Sequence, residues 1–223
     1  MVTNLLENNH LVLVGKVTSD KRYSHEIYGE KFYIFDLEVP RLSQAVDVIP
    51  ITVSERLLTS LNLEIGKKLS VKGQFRSYNS YQNEKNKLIL TVFAKDIIEV
   101  EEKEEEEENN DVVTNEVTLS GYVCKKPIYR QTPFDREISD LLLAVNRAYN
   151  KSDYIPCIAW GRNARFCQNM EVGTELKIVG RVQSRKYEKK FEDGTSETRV
   201  AYEVSISSME IVDKDKNENE DVG

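Results

Sequence analysis

The sequence predicts an all-β chain made of two copies of one small barrel. Two observations carry this. Shifting the chain by 106 positions lays Gly15 on Gly121, Arg41 on Arg147, Asp47 on Asp153 and Pro50 on Pro156. Apolar residues keep the same register at period two, with Leu11, Leu13 and Val17 over Val117, Leu119 and Val123, and Leu37 and Val39 over Leu143 and Val145, and matched alternation implies matched strands. The shift grows to 107 at Gly66 and Gly173 and to 112 at Ile97 and Met209, so the added residues enter where loops absorb them.

The elements follow in order within a repeat. Val117 to Val123 alternates, Ile138 to Arg147 is a longer apolar strand, and Tyr154 to Trp160 follows a polar loop. Asn163 to Met170 and its counterpart Glu55 to Leu61 read as one short helix each, before glycine turns at Gly66 and Gly173. Leu69 to Phe75 and Leu176 to Val182 are the next strands, and a hairpin with its tip at Glu192, Asp193 and Gly194 returns a last strand that alternates Val200, Tyr202, Val204 and Ile206. Three strands, a helix and two strands make a five-stranded Greek-key barrel, the OB-fold.

Length and composition agree with two domains, since 223 residues at 39% hydrophobic content suffice for two cores of about 100 residues each. The expected division is a first OB-fold over 10–98, an acidic linker over 99–111, a second OB-fold over 112–212 and an acidic, disordered tail over 213–223. The three cysteines (Cys124, Cys157, Cys167) form no CxxC pair, and the two histidines, His10 and His25, lie in the other repeat. That spacing suits neither a disulfide scaffold nor a zinc site. No apolar run approaches the roughly 18 residues of a membrane span. These features lead to the expectation of a cytoplasmic, nucleoid-associated protein with no cofactor and no metal.

A net charge of −7 looks wrong for a nucleic-acid binder until it is placed along the chain. Glu99 to Asp111 carries −8 and Asp213 to Gly223 carries −3, and setting both aside leaves +4. The acids are concentrated in two segments too polar to bury.

The second repeat reads "VTLSGYV", "LLLAVNRAY", "DYIPCIAWGRNA", "EVGTELKIVGRVQSRKY" and "AYEVSISSMEIV". In order and spacing it resembles the bacterial single-stranded DNA-binding protein family over nearly its whole length. The resemblance implies stacking aromatics at Tyr149, Tyr154, Trp160 and Tyr187, where the family usually has tryptophan at some positions. A sequence-tolerant single-strand binder needs flat π-faces at nucleotide spacing with cations along the phosphates. Arg147 flanks Tyr149, Arg162 flanks Trp160, and Arg185 with Lys186 precedes Tyr187, while Arg130 and Tyr129 lie in the first long loop. Lys189, Lys190 and Phe191 extend the hairpin.

The first repeat departs from the pattern. Ser43, Val48, Ser54 and Ser80 stand where the second has Tyr149, Tyr154, Trp160 and Tyr187. Its candidate contacts are Arg22, Tyr23, Arg41, Arg76, Tyr78 and Tyr81, and the second repeat is expected to carry most of the affinity. The opening "LVLVG" is apolar on both faces, consistent with a covered strand. Family members work as tetramers of single OB-folds, so a two-fold chain is expected to form a homodimer.

The expected function is sequence-tolerant binding of single-stranded DNA, with RNA also compatible, in replication, repair or recombination. The alternative is an OB-fold protein-interaction module of a replication or primosome assembly with little DNA binding of its own. The family's acidic tail recruits replication and repair enzymes through an amphipathic tip, whereas this tail ends Asp221, Val222, Gly223 without the terminal aromatic. No enzyme is expected. Asp135, Glu137 and Asp140 are the tightest acidic group in the barrel bodies, but alternation points Glu137 away from its neighbours, and no phosphate-binding glycine loop or nucleophile motif occurs.

Overall fold

The structure is a computed structural model that describes residues 8–82, 85–100, 114–191 and 194–212. The first repeat contains strands β1 (Asn9–Val17), β2 (Arg22–Ile27), β3 (Glu30–Pro40) and β4 (Val46–Ser54), helix α1 (Glu55–Thr59), and strands β5 (Lys68–Gln82) and β6 (Lys85–Glu99). The second contains β7 (Asn115–Val123), β8 (Ile128–Gln131), β9 (Glu137–Arg147), β10 (Lys151–Trp160), α2 (Arg162–Cys167), β11 (Glu175–Lys190) and β12 (Ser196–Ile211). By proximity the chain divides into two compact units. One holds His10–Val117 with Val182–Glu203, and the other holds Thr118–Arg181 with the chain from Val204.

In the first unit, β1 pairs antiparallel with β3 and β5, β3 with β4, and β5 with β6. A short parallel seam between β4 and β6, Ile51 opposite Val92 and Thr52 opposite Phe93, closes the barrel. The inward rows are fully buried: Leu11 and Leu13, then Phe35, Leu37 and Val39, Ile49, Ile51 and Val53, Leu69 and Val71, Phe75 and Val92. The side-chain hydroxyls of Thr52 and Thr91 lie 2.8 Å apart across the seam.

The second barrel repeats the topology. β9 pairs with β7 and β10, β11 lies between β7 and β12, and a parallel seam joins β10 to β12 at Cys157 opposite Val204 and Ile158 opposite Ser205. Leu119, Val123, Leu143, Val145, Ile155, Leu176 and Val204 form its core. The two tandem OB-folds expected from the apolar register are therefore present.

Close approach explains the repeated glycine. A Cβ on Gly15 would stand 2.2 Å from the carbonyl oxygen of Glu38, and one on Gly121 2.5 Å from that of Ala144, so β1 and β7 cross β3 and β9 at distances that admit no side chain.

Several elements differ from the sequence reading. The expected first loop of each repeat contains a strand, β2 or β8, hydrogen-bonded to β3 or β9, so Arg22, Tyr23, Tyr129 and Arg130 sit on strands. Both helices are shorter than expected, ending at Thr59 and Cys167. The final hairpins are longer, because β5, β6, β11 and β12 run on as ribbons, with β11 exposed from Arg185 to Lys190. The expected tail lies outside the described residues, as does all of the expected linker except Glu99 and Val100. Among the described residues no helix is long and apolar enough to cross a membrane.

Candidate nucleic-acid interface

In the second repeat, β10 alternates between the core and an outer row. Asp153, Ile155, Cys157 and Ala159 point inward, while Tyr154 and Trp160 face out at 45% and 38% exposure. Six residues of strand separate them by about 20 Å, room for several unstacked bases. Trp160 ends the strand because Gly161 follows at φ 53° and turns the chain into α2, leaving Arg162 exposed beside it. Across the sheet, Trp160 is opposite Ile138, and Ile138 is opposite Arg130 on its other side. The indole and the guanidinium thus share one outer face, about 10 Å apart in strand spacing. Arg130 makes a two-pronged contact to Asp140 at 2.9 and 3.3 Å, which fixes its direction while half its surface stays open. Tyr149 is exposed in the β9–β10 turn at φ 62°.

Arg147 is turned elsewhere. It donates to Asp153 at 3.1 Å, and Asp153 is 1% exposed. The first repeat has the same pair: Arg41 donates through Nε to Asp47 at 2.7 Å, and the Asp47 carboxylate is fully buried. Hydrogen bonding to Asp47 holds the Arg41 guanidinium above its ordinary value. Both arginines answer a buried carboxylate at the barrel end, so a nucleic acid meets only their remaining half-exposed edge.

In the other unit, the outgoing ribbon of β11 presents Arg185, Lys186 and Tyr187, with the Arg185 guanidinium 5.9 Å from the tyrosine ring centre. Farther out, Lys189 and Arg199 lie 5.5 and 5.7 Å from the ring of Phe191. In the sequence Phe191 stands out only as part of the hairpin. Its place beside Lys189 and opposite a returning arginine is visible only once the ribbon is paired. Arg22 pairs with Asp36 at 2.9 Å, Tyr23 packs edge-on against Tyr33 and is 61% exposed, and Tyr78 is half-exposed on β5. The side chain of Tyr81 lies outside the described residues.

The acidic trio is dispersed among partners. Asp135 accepts from Gln131, Glu137 accepts from Tyr129 and pairs with Arg165, and Asp140 holds Arg130. Among the described residues no three His, Cys, Asp or Glu side chains are grouped to hold a metal.

The model of the single-strand binding protein family matches residues 114–212. A single-stranded DNA-binding protein of Streptococcus agalactiae is 32% identical over 106 residues, covering 44% of this chain and 77% of that protein. The chain belongs to the single-strand binding protein family. The single-stranded DNA-binding protein of Thermus aquaticus superposes with a TM-score of 0.71 at 19% identity, over 92% of this chain and 93% of that one, and shares its fold. The N-terminal domain of PriB protein from Thermoanaerobacter tencongensis is 55% identical, covering 43% of this chain and all of that one, at a TM-score of 0.39. The chain spans about half the length of the curated relatives that it matches first, 59% for the protein of Clostridium tetani and 47% for that of Bacillus subtilis.

Proposed function

We propose that this family member binds single-stranded DNA with little sequence preference, protecting it in replication, repair or recombination. One observation carries the reading: Tyr154 and Trp160 stand on one outer strand face with Arg130 directed onto the same surface. Stacking is sequence-tolerant because every base offers a π-face, and each stacked base contributes roughly 1–3 kcal/mol. Arg162, Arg185 and Lys186 supply further phosphate contacts, and Tyr149 and Tyr187 further stacking planes. The chain acts by binding alone, without a catalytic step, cofactor or metal, as two domains over 10–98 and 112–212. We further propose a homodimer in the cytoplasm, at the nucleoid, where replication or repair proteins are its partners.

The test is a titration of Trp160, the one tryptophan of the chain, with oligothymidylate at two salt concentrations and with duplex as control. Strong quenching by the single strand, weakened by salt and absent with duplex, is the expected result. Weak, salt-insensitive binding would instead favour the protein-interaction module.

A further inference from the structure

The first repeat has lost the aromatics at Tyr154 and Trp160, yet its outer face is not bare. In the second repeat the aromatic of the closing register pair is on β10, Trp160 opposite Ile138; in the first the same pair is Ser54 opposite Phe32. The ring has moved one strand over, from β4 to β3. It does not stand alone. His25 on β2 lies parallel to Phe32, 4.9 Å between ring centres at an interplanar angle of 8°. Phe93 on β6 meets Phe32 on its other side at 5.6 Å and 38°. The Arg76 guanidinium on β5 lies 4.1 Å from the centre of the Phe93 ring.

We propose that this row, His25, Phe32, Phe93 and Arg76, is a second single-strand binding platform, taking unpaired bases on the planes at its two ends. The inference rests on the reading of the chain as a single-strand binder and places a site on the repeat expected to contribute least. Phe32 is only 7% exposed, so bases do not reach it. The outward planes are the half-exposed imidazole and guanidinium, each backed by a phenyl ring. Both are held in orientation: Gln74, itself buried, accepts from Arg76 Nε and Nη2 at 3.1 and 2.7 Å, and the Ser24 hydroxyl lies 2.8 Å from His25 Nδ1. A preset plane loses little freedom when a base settles on it.

The charge around the row suits a phosphate backbone. Lys95, exposed two residues beyond Phe93, is held below the usual lysine value by partial burial and by the charge of Arg76. Two cations that repel each other beside a π-surface gain from an anion between them, and a single strand brings phosphate and base together.

The experiment compares the full chain with Arg76→Gln, Phe93→Leu and His25→Ala variants, using oligothymidylate long enough to cover both repeats, and maps contacts by photocrosslinking with iododeoxyuridine. Each variant is expected to lower affinity about fivefold or more, and Arg76→Gln to reduce the salt slope by about 0.7. The Trp160 quenching amplitude at saturation should be unchanged, and crosslinks should fall on His25 as well as Trp160. Phe93 is part of a packed face, so His25→Ala provides the reading if Phe93→Leu lowers the melting temperature. Wild-type affinity and stoichiometry in all three variants, with binding lost in Trp160→Leu, would overturn the second platform and leave the proposed function standing. Absence of binding by the unaltered chain would overturn both.

Discussion

Arg41 and Arg147 are cations in the right place for a phosphate that are already committed to carboxylates. Each holds a carboxylate with almost no solvent, and removing the guanidinium leaves that buried charge without its cation. Arg147→Ala should therefore lower unfolding free energy by about 3 kcal/mol, measured by urea denaturation, and cost more in stability than in DNA affinity. Arg162→Ala should show the reverse. The clue was in the sequence, since arginine and aspartate recur together at the same six-residue spacing at both 41/47 and 147/153; a phosphate contact needs no such partner. Cys167 is another decided residue. It is fully buried beside Met209, Sγ to Sδ 3.6 Å, and burial pushes its thiol up to about 11. A raised thiol value means less thiolate at a given pH, about one part in a thousand at pH 8. Iodoacetamide at that pH should spare Cys167 in the native chain and label it after denaturation; equal rates in both states would show that α2 does not cover it.

Among the elements, period-two patterning is legible where one face of a strand is buried, which is why the apolar rows of β1, β3, β7 and β9 stand out in the sequence and are buried in the structure. β2 and β8 were missed because they bury little: their exposed residues impose no alternation, and their existence depends on pairing with β3 and β9. The same reason hid the outer lengths of β11 and β12. The His25, Phe32, Phe93 row was beyond reach for a different reason, since Phe93 lies 61 positions from Phe32 and meets it only through the β3–β4–β6 order. The glycine crossings give a test at this scale. Gly15→Ala and Gly121→Ala each drive a methyl into a backbone carbonyl, which cannot swing aside as a side chain does. Each should destabilise its barrel by about 2 kcal/mol or more, read as a lowered denaturation midpoint.

For the whole molecule, charge is divided by segment, and the total is misleading. The barrel bodies are mildly basic while 99–111 and 213–223 carry the excess of acids. Four or five phosphate contacts would give a slope of log affinity against log salt near −3, despite a net charge of −7. If the acidic tail competes with DNA for the basic surface, deleting 213–223 should tighten binding at low salt and change little at high salt; equal affinity at low salt would assign it no such role. A homodimer should scatter light as a particle of about 51 kDa, twice the 25.7 kDa chain, and a monomer at micromolar concentration would remove the pairing proposal.

The parallel seams have a kinetic meaning. Each barrel is closed by only two residue pairs, whereas its antiparallel hairpins are long. Opening there breaks few backbone bonds, so amide hydrogens at the seam should exchange with solvent deuterium through local opening, ahead of the hairpin interiors. The hydroxyl pair of Thr52 and Thr91 braces the first seam, while at the matching places the second has Ile158 and Glu203. Exchange at Cys157 and Ile158 should then outpace that at Ile51 and Thr52. Because β10 also bears Tyr154 and Trp160, a bound strand lying along it would slow this breathing, and the protection would report occupancy of the second repeat without any label on the DNA.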